Sequence, residues 1–152
     1  MQFQYTLDIG ATPAEVWAAL TEPRFTRAWW DTEFQTDWVV GSPMTWISRG
    51  VVIEDAEQVV LKCQPTEELS YNWHTMTNEM SKRNGISQEI QNIISGEPRS
   101  TVTFMLRPYG PITELTVVHD GFEPDSTVLA LIREGWPVLL ENLKNLLEGG
   151  TE

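Results

Sequence analysis

The stretch DSTVLALIREGWPVLLENLKNLLEGG, residues 125–150, decides the fold. Gly135 and the apolar residues recur there at intervals of three and four, which places them on one broad face of a helix. They are Val128, Ile132, Gly135, Trp136, Leu139, Leu143, Leu146 and Leu147. Asp125 or Ser126 can cap the first turn, and Gly149-Gly150 stops the helix.

A helix of roughly 20 residues is about 30 Å long, which is enough to cross a small domain. We therefore expect it to lie across a sheet rather than beside another helix. Pro137 lies inside the helix and frees the carbonyl of Arg133. Helical phase puts Pro137 on the polar side, so we expect the helix to bend around its partner.

The N-terminal third predicts a strand followed by short helices. Residues 2–9 alternate between apolar and polar side chains, which is typical of a half-buried strand. Thr12-Pro13-Ala14-Glu15 is a capping box with proline at the first helical position. That helix ends near Pro23, and residues 24–30 predict a further turn or two that closes on Trp29-Trp30.

The middle of the chain predicts a series of strands joined by turns. They cover residues 34–38, 44–48, 51–54, 59–63, 69–74, 101–107 and 112–119. In the fourth of these, Val59, Leu61 and Cys63 are expected to face inward. The order of elements predicts one α+β domain over residues 1–152, in which a curved antiparallel sheet wraps around the C-terminal helix.

Residues 75–98 interrupt the series of strands. The segment is polar at first, and then Ile86, Ile90, Ile93 and Ile94 predict a short amphipathic helix. A connection of this length is typical of a lid, a binding loop or a partner surface. An insertion packed on the edge of the sheet is the alternative.

Composition excludes several kinds of partner. The net charge of −12 opposes binding to nucleic acid or to an anionic membrane surface. No apolar stretch reaches the roughly 20 residues of a membrane span, and the first residues do not resemble a signal peptide. Cys63 is the one cysteine, so no intrachain disulfide can form, and we expect a cytoplasmic protein.

Several short motifs, in the same order, resemble the heat-shock protein 90 ATPase activator homologue family, part of the START-related helix-grip (SRPBCC) superfamily. They are TPAEVW at 12–17, LTEP at 20–23, DW at 37–38, GSP at 41–43, LSYNW at 69–73, HDGF at 119–122, GWP at 135–137 and LENLKNLLE at 140–148. The likeness covers nearly the whole chain except residues 75–98. It implies a helix-grip fold with a deep apolar cavity between the sheet and the long helix.

The resemblance does not imply one activity, because superfamily members bind lipids, hormones or polyketides and only some are enzymes. The eukaryotic activator uses a separate N-terminal domain for chaperone binding, and this chain has no room for one. We therefore expect ligand binding rather than chaperone regulation.

Strand alternation indicates which side chains face the interior. His119 shares a face with Leu115 and Val117, so we expect it to point inward, where its neutral form is favoured. Large aromatic side chains with one polar atom each suit a cavity that orients an apolar molecule. The predicted ligand-binding residues are Trp46, Tyr71, Trp73, His119 and Trp136. Filling the core is the simpler role for any single one of them.

The sequence does not predict a metal site, a cofactor or a catalytic nucleophile. His74 and His119 are expected on opposite faces, and Cys63 has no partner at a zinc spacing. No Gly-x-Ser-x-Gly elbow and no phosphate-binding loop is present.

Three hypotheses for function follow. The first is a binding protein for a hydrophobic small molecule. The second is an enzyme of the polyketide-cyclase or hydrolase type that uses His119 as acid or base, with Tyr71 or Asp120 nearby. The third is a protein-interaction or stress-response module that acts through residues 75–98, with a homodimer as one form of it.

Overall fold

The computed structural model describes residues 1–74 and 76–149, which form eight strands and five helices. The strands are β1 (Gln2–Ile9), β2 (Thr32–Gln35), β3 (Thr45–Ser48), β4 (Val51–Ile53), β5 (Val60–Gln64), β6 (Glu68–Asn72), β7 (Thr101–Tyr109) and β8 (Ile112–Asp120). The helices are α1 (Pro13–Thr21), α2 (Pro23–Trp30), α3 (Asn78–Arg83), α4 (Gln88–Ile94) and α5 (Thr127–Glu148). Thr75 and Gly150, which belong to the predicted insertion and the predicted helix stop, lie outside the described residues.

The larger sheet is antiparallel, with its strands in the order β1-β8-β7-β6-β5. His119 of β8 lies opposite Phe3 of β1 and Val102 of β7. Side chains on β7 and β8 alternate between buried and more exposed, so one face of this sheet is apolar. That face packs against α5, which confirms the predicted α+β helix-grip fold.

The strands that follow the first helices form a second sheet, in the order β2-β3-β4. It is joined to the larger sheet through an isolated bridge between Pro43 and Val59. Trp46 lies in its middle strand, opposite Phe34 and Ile53, and only 1% of its surface is exposed. The predicted single curved sheet is therefore two sheets, and the smaller one carries Trp46.

The capping box at the start of α1 is formed as predicted. The Thr12 hydroxyl accepts a hydrogen bond from the Glu15 amide at 3.1 Å, and the Glu15 carboxylate accepts one from the Thr12 amide at 2.9 Å. These bonds satisfy two backbone donors that a helix start leaves without partners. Helix α2 begins at Pro23 and ends at Trp30, whose ring centroid lies 5.4 Å from that of Trp136 in α5.

The prediction that Leu61 faces inward is wrong. The pairing of β5 with β6 shifts between Val60 and Lys62, which marks a β-bulge. An extra residue in one strand reverses the alternation on either side of it. As a result Val60 is fully buried, whereas Leu61 is 40% exposed.

Residues 76–98 form two short helices, of which only α4 was predicted. Gln91 of α4 accepts a hydrogen bond from the hydroxyl of Ser81 in α3. Its side chain also donates a hydrogen bond to the carbonyl of Met76, which precedes α3, at 3.0 Å. At the end of the segment the Glu97 carboxylate accepts a hydrogen bond from the Thr127 amide at 2.8 Å. The segment is therefore fixed to the first turn of α5.

Helix α5 crosses the apolar face and is attached at both ends. Ser126 rather than Asp125 is its N-cap, accepting a hydrogen bond from the Leu129 amide at 3.0 Å. At the other end the Gly10 amide donates to the Glu148 carboxylate at 2.6 Å. Leu140, which the sequence pattern had left out of the apolar face, is fully buried. None of the helices in the described part of the chain is long and apolar enough to cross a membrane.

Candidate functional site

Trp30 lies at the centre of a cluster of indole rings. Its ring centroid is 5.4 Å from that of Trp136, 5.8 Å from that of Trp46 and 5.9 Å from that of Trp73. Offset and edge-on arrangements at these distances are favourable for aromatic rings. These four residues are called the tryptophan cluster below.

Each member of the tryptophan cluster comes from a different element. Trp30 is the last residue of α2, Trp46 lies in β3, Trp73 follows β6, and Trp136 lies in the middle of α5. The predicted set contained the last three but not Trp30. The adjacent pair Trp29-Trp30 was the available signal, because neighbouring helical residues face different directions. Trp29 is 3% exposed and donates its indole N–H to the Ala19 carbonyl, which leaves Trp30 to face α5.

A cavity of about 530 Å³ borders the tryptophan cluster. Met76, Met80 and Ile86 of the 76–98 segment form a second wall. Helix α5 forms a third wall, and its Leu131 and Val138 are 41% and 63% exposed, so the cavity opens to solvent along this helix. A volume of this size is typical of sites for small molecules.

The position of this cavity differs from the expected one. We expected a hollow between the sheet and the C-terminal helix, but the interface of α5 with the larger sheet is filled. Side chains on both sides of this interface are fully buried, among them Tyr71, Phe104, Leu115, Val117, Leu140 and Leu143. The cavity lies instead beside this packed interface, under the 76–98 segment.

Tyr71 and His119, the other two predicted ligand-binding residues, lie behind the tryptophan cluster. Neither belongs to the lining of the 530 Å³ cavity, and both are fully buried. The Tyr71 ring is 5.8 Å from that of Trp46, and the His119 ring is 4.6 Å from that of Trp73. The structure therefore brings Trp46, Trp73 and Trp136 to the cavity and places Tyr71 and His119 next to them.

Two buried polar atoms have no hydrogen-bond partner among the described residues, the Trp46 indole nitrogen and the Tyr71 hydroxyl. Burial raises the pKa of Tyr71 well above its ordinary value, because the phenolate would be desolvated. Tyr71 is therefore neutral at physiological pH. Unsatisfied buried polar atoms are uncommon and destabilise a core.

His119 is held by a hydrogen bond at each ring nitrogen. The Trp136 indole N–H donates to Nδ1 at 3.1 Å, and Nε2 lies 2.9 Å from the Ser100 hydroxyl oxygen. Because Nδ1 accepts, the single proton of the neutral ring is on Nε2, which donates to Ser100. This bond network fixes the orientation of the Trp136 ring in the cavity wall.

Burial lowers the pKa of His119 to about 3, with a smaller contribution from the nearby His74. A proton added at Nδ1 would also face the indole N–H of Trp136, so two donors would oppose each other. His119 is therefore neutral in the folded chain near pH 7, as predicted. Both nitrogens are occupied, so the ring is not placed to accept a proton from a molecule in the cavity.

The prediction that His74 faces away from His119 is wrong. Strand β6 ends at Asn72, so strict alternation does not extend to His74. The His74 ring lies 4.9 Å from that of Trp46 and 5.4 Å from that of Trp73, and His74 lines the cavity.

A second, smaller cavity of about 250 Å³ lies next to the first. The two share lining residues, including Trp73, His74 and Met76, but charged side chains such as Glu57 and Arg99 line the smaller one as well. Arg99 donates to the Trp73 carbonyl at 2.8 Å and to the Asp55 carboxylate at 3.1 Å. This cavity is the more polar neighbour of the apolar one.

Residues 1–74 and 76–149 contain no group of three or more His, Cys, Asp or Glu side chains that could hold a metal ion. The larger cavity is lined by apolar side chains and indole rings, with a few polar side chains among them, including Arg49, His74, Asn84 and Glu134.

Comparison with known proteins places the chain in a family. Residues 10–148 match the family described as Activator of Hsp90 ATPase homolog 1-like protein. No curated protein matches the sequence.

Solved structures share the fold over the full length of the chain. The protein MLL2253 from Mesorhizobium loti is 26% identical, with 100% of this chain and 99% of that chain covered and a TM-score of 0.76. The Aha1 dimer from Colwellia psychrerythraea is 22% identical, with 100% and 99% covered and a TM-score of 0.72. CalU16 from Micromonospora echinospora is 21% identical, with 99% and 76% covered and a TM-score of 0.70. Since the family match spans nearly the whole sequence, the chain belongs to the Activator of Hsp90 ATPase homolog 1-like family.

Proposed function

We propose that this protein binds a hydrophobic small molecule in the 530 Å³ cavity beside the tryptophan cluster. The observation that carries the proposal is the lining of that cavity, in which four indole rings face methionine, isoleucine, leucine and valine side chains. Removing an apolar molecule from water into such a space is favourable by about 25 cal/mol per Å² of buried apolar surface.

The structural roles of the predicted residues follow from this proposal. Trp30 and Trp73 contact the bound molecule, and Trp46 and Trp136, which also border the cavity but are 1% exposed, add little surface to it. His119 acts from behind by holding the Trp136 ring, and Tyr71 packs against Trp46. The lone Cys63 is compatible with a reducing compartment, and we expect the binding to occur in the cytoplasm.

The enzyme hypothesis receives no support from the geometry of His119. Its Nδ1 accepts from Trp136, and its pKa is lowered to about 3, so at neutral pH it is neither an available base nor an available acid. The interaction hypothesis stays a prediction. The Aha1 structure from Colwellia psychrerythraea is a dimer, but its 22% identity supports a shared fold only.

Binding of apolar probes tests the proposal. We expect titration with 1-aminoanthracene, a neutral aromatic fluorophore, to change tryptophan fluorescence in a saturable way. Leu131→Glu should raise the Kd for this probe by about fivefold, because it puts a carboxylate at the edge of the cavity and removes an apolar contact. 1-Dodecanol, added in competition and alone, tests whether a flexible aliphatic molecule also binds.

Ala130→Glu is the matched control. Ala130 is exposed, precedes Leu131 on the same helix and does not line the cavity. This variant adds the same charge, so it should leave the Kd within about twofold of the wild-type value. Absence of saturable binding of both probes to the wild-type protein would contradict the proposal, as would an equal effect of the two variants.

A further inference from the structure

Gly135 lies in the interior of helix α5, and the fold does not explain why this residue is a glycine. Glycine destabilises a helix interior relative to alanine. Six described glycines have a positive φ, a backbone conformation that favours glycine, but Gly135 is not among them. A Cβ atom built on Gly135 would have no heavy atom within 4 Å other than its chain neighbours and the backbone of its own helix, so close packing does not require glycine either.

The position of Gly135 gives it a different role. It lies in the wall of the 530 Å³ cavity, in the middle of the part of α5 that faces this space. Leu131 is four residues before it and Leu139 four residues after it, so the three share one side of the helix. Both leucines also line the cavity. The interval from Leu131 to Leu139 is about 12 Å long, and its centre is bare backbone.

We propose that Gly135 forms a binding platform, on which a planar aromatic molecule packs directly against the backbone of α5. This inference rests on the proposed function and names the class of ligand for the same cavity. A flat ring can reach van der Waals distance of a helix backbone only where no side chain intervenes.

The surroundings of Gly135 favour a ring system over a flexible chain. Trp30 is half-buried and Trp73 is 8% exposed, both line the same cavity, and their ring centroids are 5.9 Å apart. Indole rings contact other aromatic rings favourably in offset and edge-on arrangements. A planar molecule of two to four fused rings would use both the bare backbone and these surfaces, whereas an alkyl chain needs neither.

A graded series at Gly135 tests this proposal. We expect Gly135→Ala to raise the midpoint of thermal unfolding by about 2–4 °C, because alanine is the better helix former. The same substitution should raise the Kd of 1-aminoanthracene by about threefold, and Gly135→Leu should raise it by at least about tenfold, because the larger side chains fill the space that the ring would occupy.

Ala130→Leu is the control for adding an apolar side chain to α5. Ala130 is exposed and is not among the residues that line the cavity, so this variant should bind 1-aminoanthracene as the wild type does. A Gly135→Leu variant that unfolds as cooperatively as the wild type and binds the probe equally well would overturn the proposal. A lowered unfolding temperature for Gly135→Ala would also overturn it, since the glycine would then serve the helix near Pro137.

The experiment separates this proposal from the proposed function. If the wild-type protein binds 1-dodecanol but not 1-aminoanthracene, the cavity is a site for apolar molecules and the aromatic platform is wrong. If the wild-type protein binds neither probe, both proposals fail.

Discussion

Trp136→Ala should lower the free energy of unfolding by about 3–5 kcal/mol, the range measured for truncation of large buried aromatic side chains. Trp136 is 1% exposed, and its ring centroid lies 5.7 Å from those of Trp73 and Phe104. The substitution also removes the donor to His119 Nδ1 and leaves that buried acceptor without its partner. Since small domains are typically stable by about 5–15 kcal/mol, the loss would be a large part of the total.

Urea unfolding of two further variants separates the causes of this loss. Trp136→Phe keeps an aromatic ring and removes the indole N–H, so it should lower the free energy of unfolding by about 1–2 kcal/mol. Trp17→Ala makes the same truncation at a half-buried position on α1, and its effect should be smaller than that of Trp136→Ala. A loss below about 1 kcal/mol for Trp136→Ala would contradict the central packing role of this residue.

The stability of the protein should fall as the pH drops below about 6.5, with His119 as one identifiable cause. The pKa of His119 is lowered from 6.5 to about 3, first by burial and then by His74. Between these pH values the unfolded chain binds a proton at this residue and the folded chain does not. The contribution of neutral His119 is therefore complete above pH 6.5 and decreases as the pH falls, by about 2 kcal/mol at pH 5.

Urea unfolding at pH 7, 6 and 5 measures this effect against His119→Asn. The asparagine side chain can accept from Trp136 but does not titrate, so the variant should lose less stability than the wild type between pH 7 and pH 5. Carboxylates whose pKa is lowered in the folded chain, such as Asp37 and Glu148, titrate at lower pH and act equally in both proteins. Parallel pH profiles for the two proteins would show that His119 is not the group responsible.

The sequence predicted those elements in which a local pattern and the tertiary structure agree. Residues 2–9 alternate and form a strand, Thr12 and Glu15 form the capping box, and the stripe from Val128 to Leu147 lies on α5. In each case the buried side chains recur with the period of the strand or helix to which they belong. The family resemblance was confirmed over residues 10–148.

The predictions failed where the backbone departs from ideal periodicity. A bulge in β5 turns Leu61 outward. Strand β6 ends at Asn72, so the alternation that predicted opposite faces for His74 and His119 does not apply to His74. Neither departure has a signal in a single sequence, because a bulge depends on the pairing with the neighbouring strand.

The residues of the candidate site could likewise be predicted only in part. Trp46, Trp73 and Trp136 could be placed in the interior from strand and helix patterns, but their distance from the cavity depends on packing between elements. The contribution of Met80 and Ile86 to the cavity wall could not be predicted, because it requires the position of the 76–98 segment against α5. The Glu97 carboxylate, which fixes that position, is distant in sequence from its partner Thr127.

The most direct measurement is the response of the seven tryptophan indole N–H signals in ¹H–¹⁵N spectra to 1-aminoanthracene. If an apolar molecule occupies the cavity, the signals of Trp30, Trp46, Trp73 and Trp136 should shift in a saturable way, while that of Trp17, which does not line this space, stays in place. Unchanged signals from the four clustered residues, or an equal shift at Trp17, would contradict binding in this cavity.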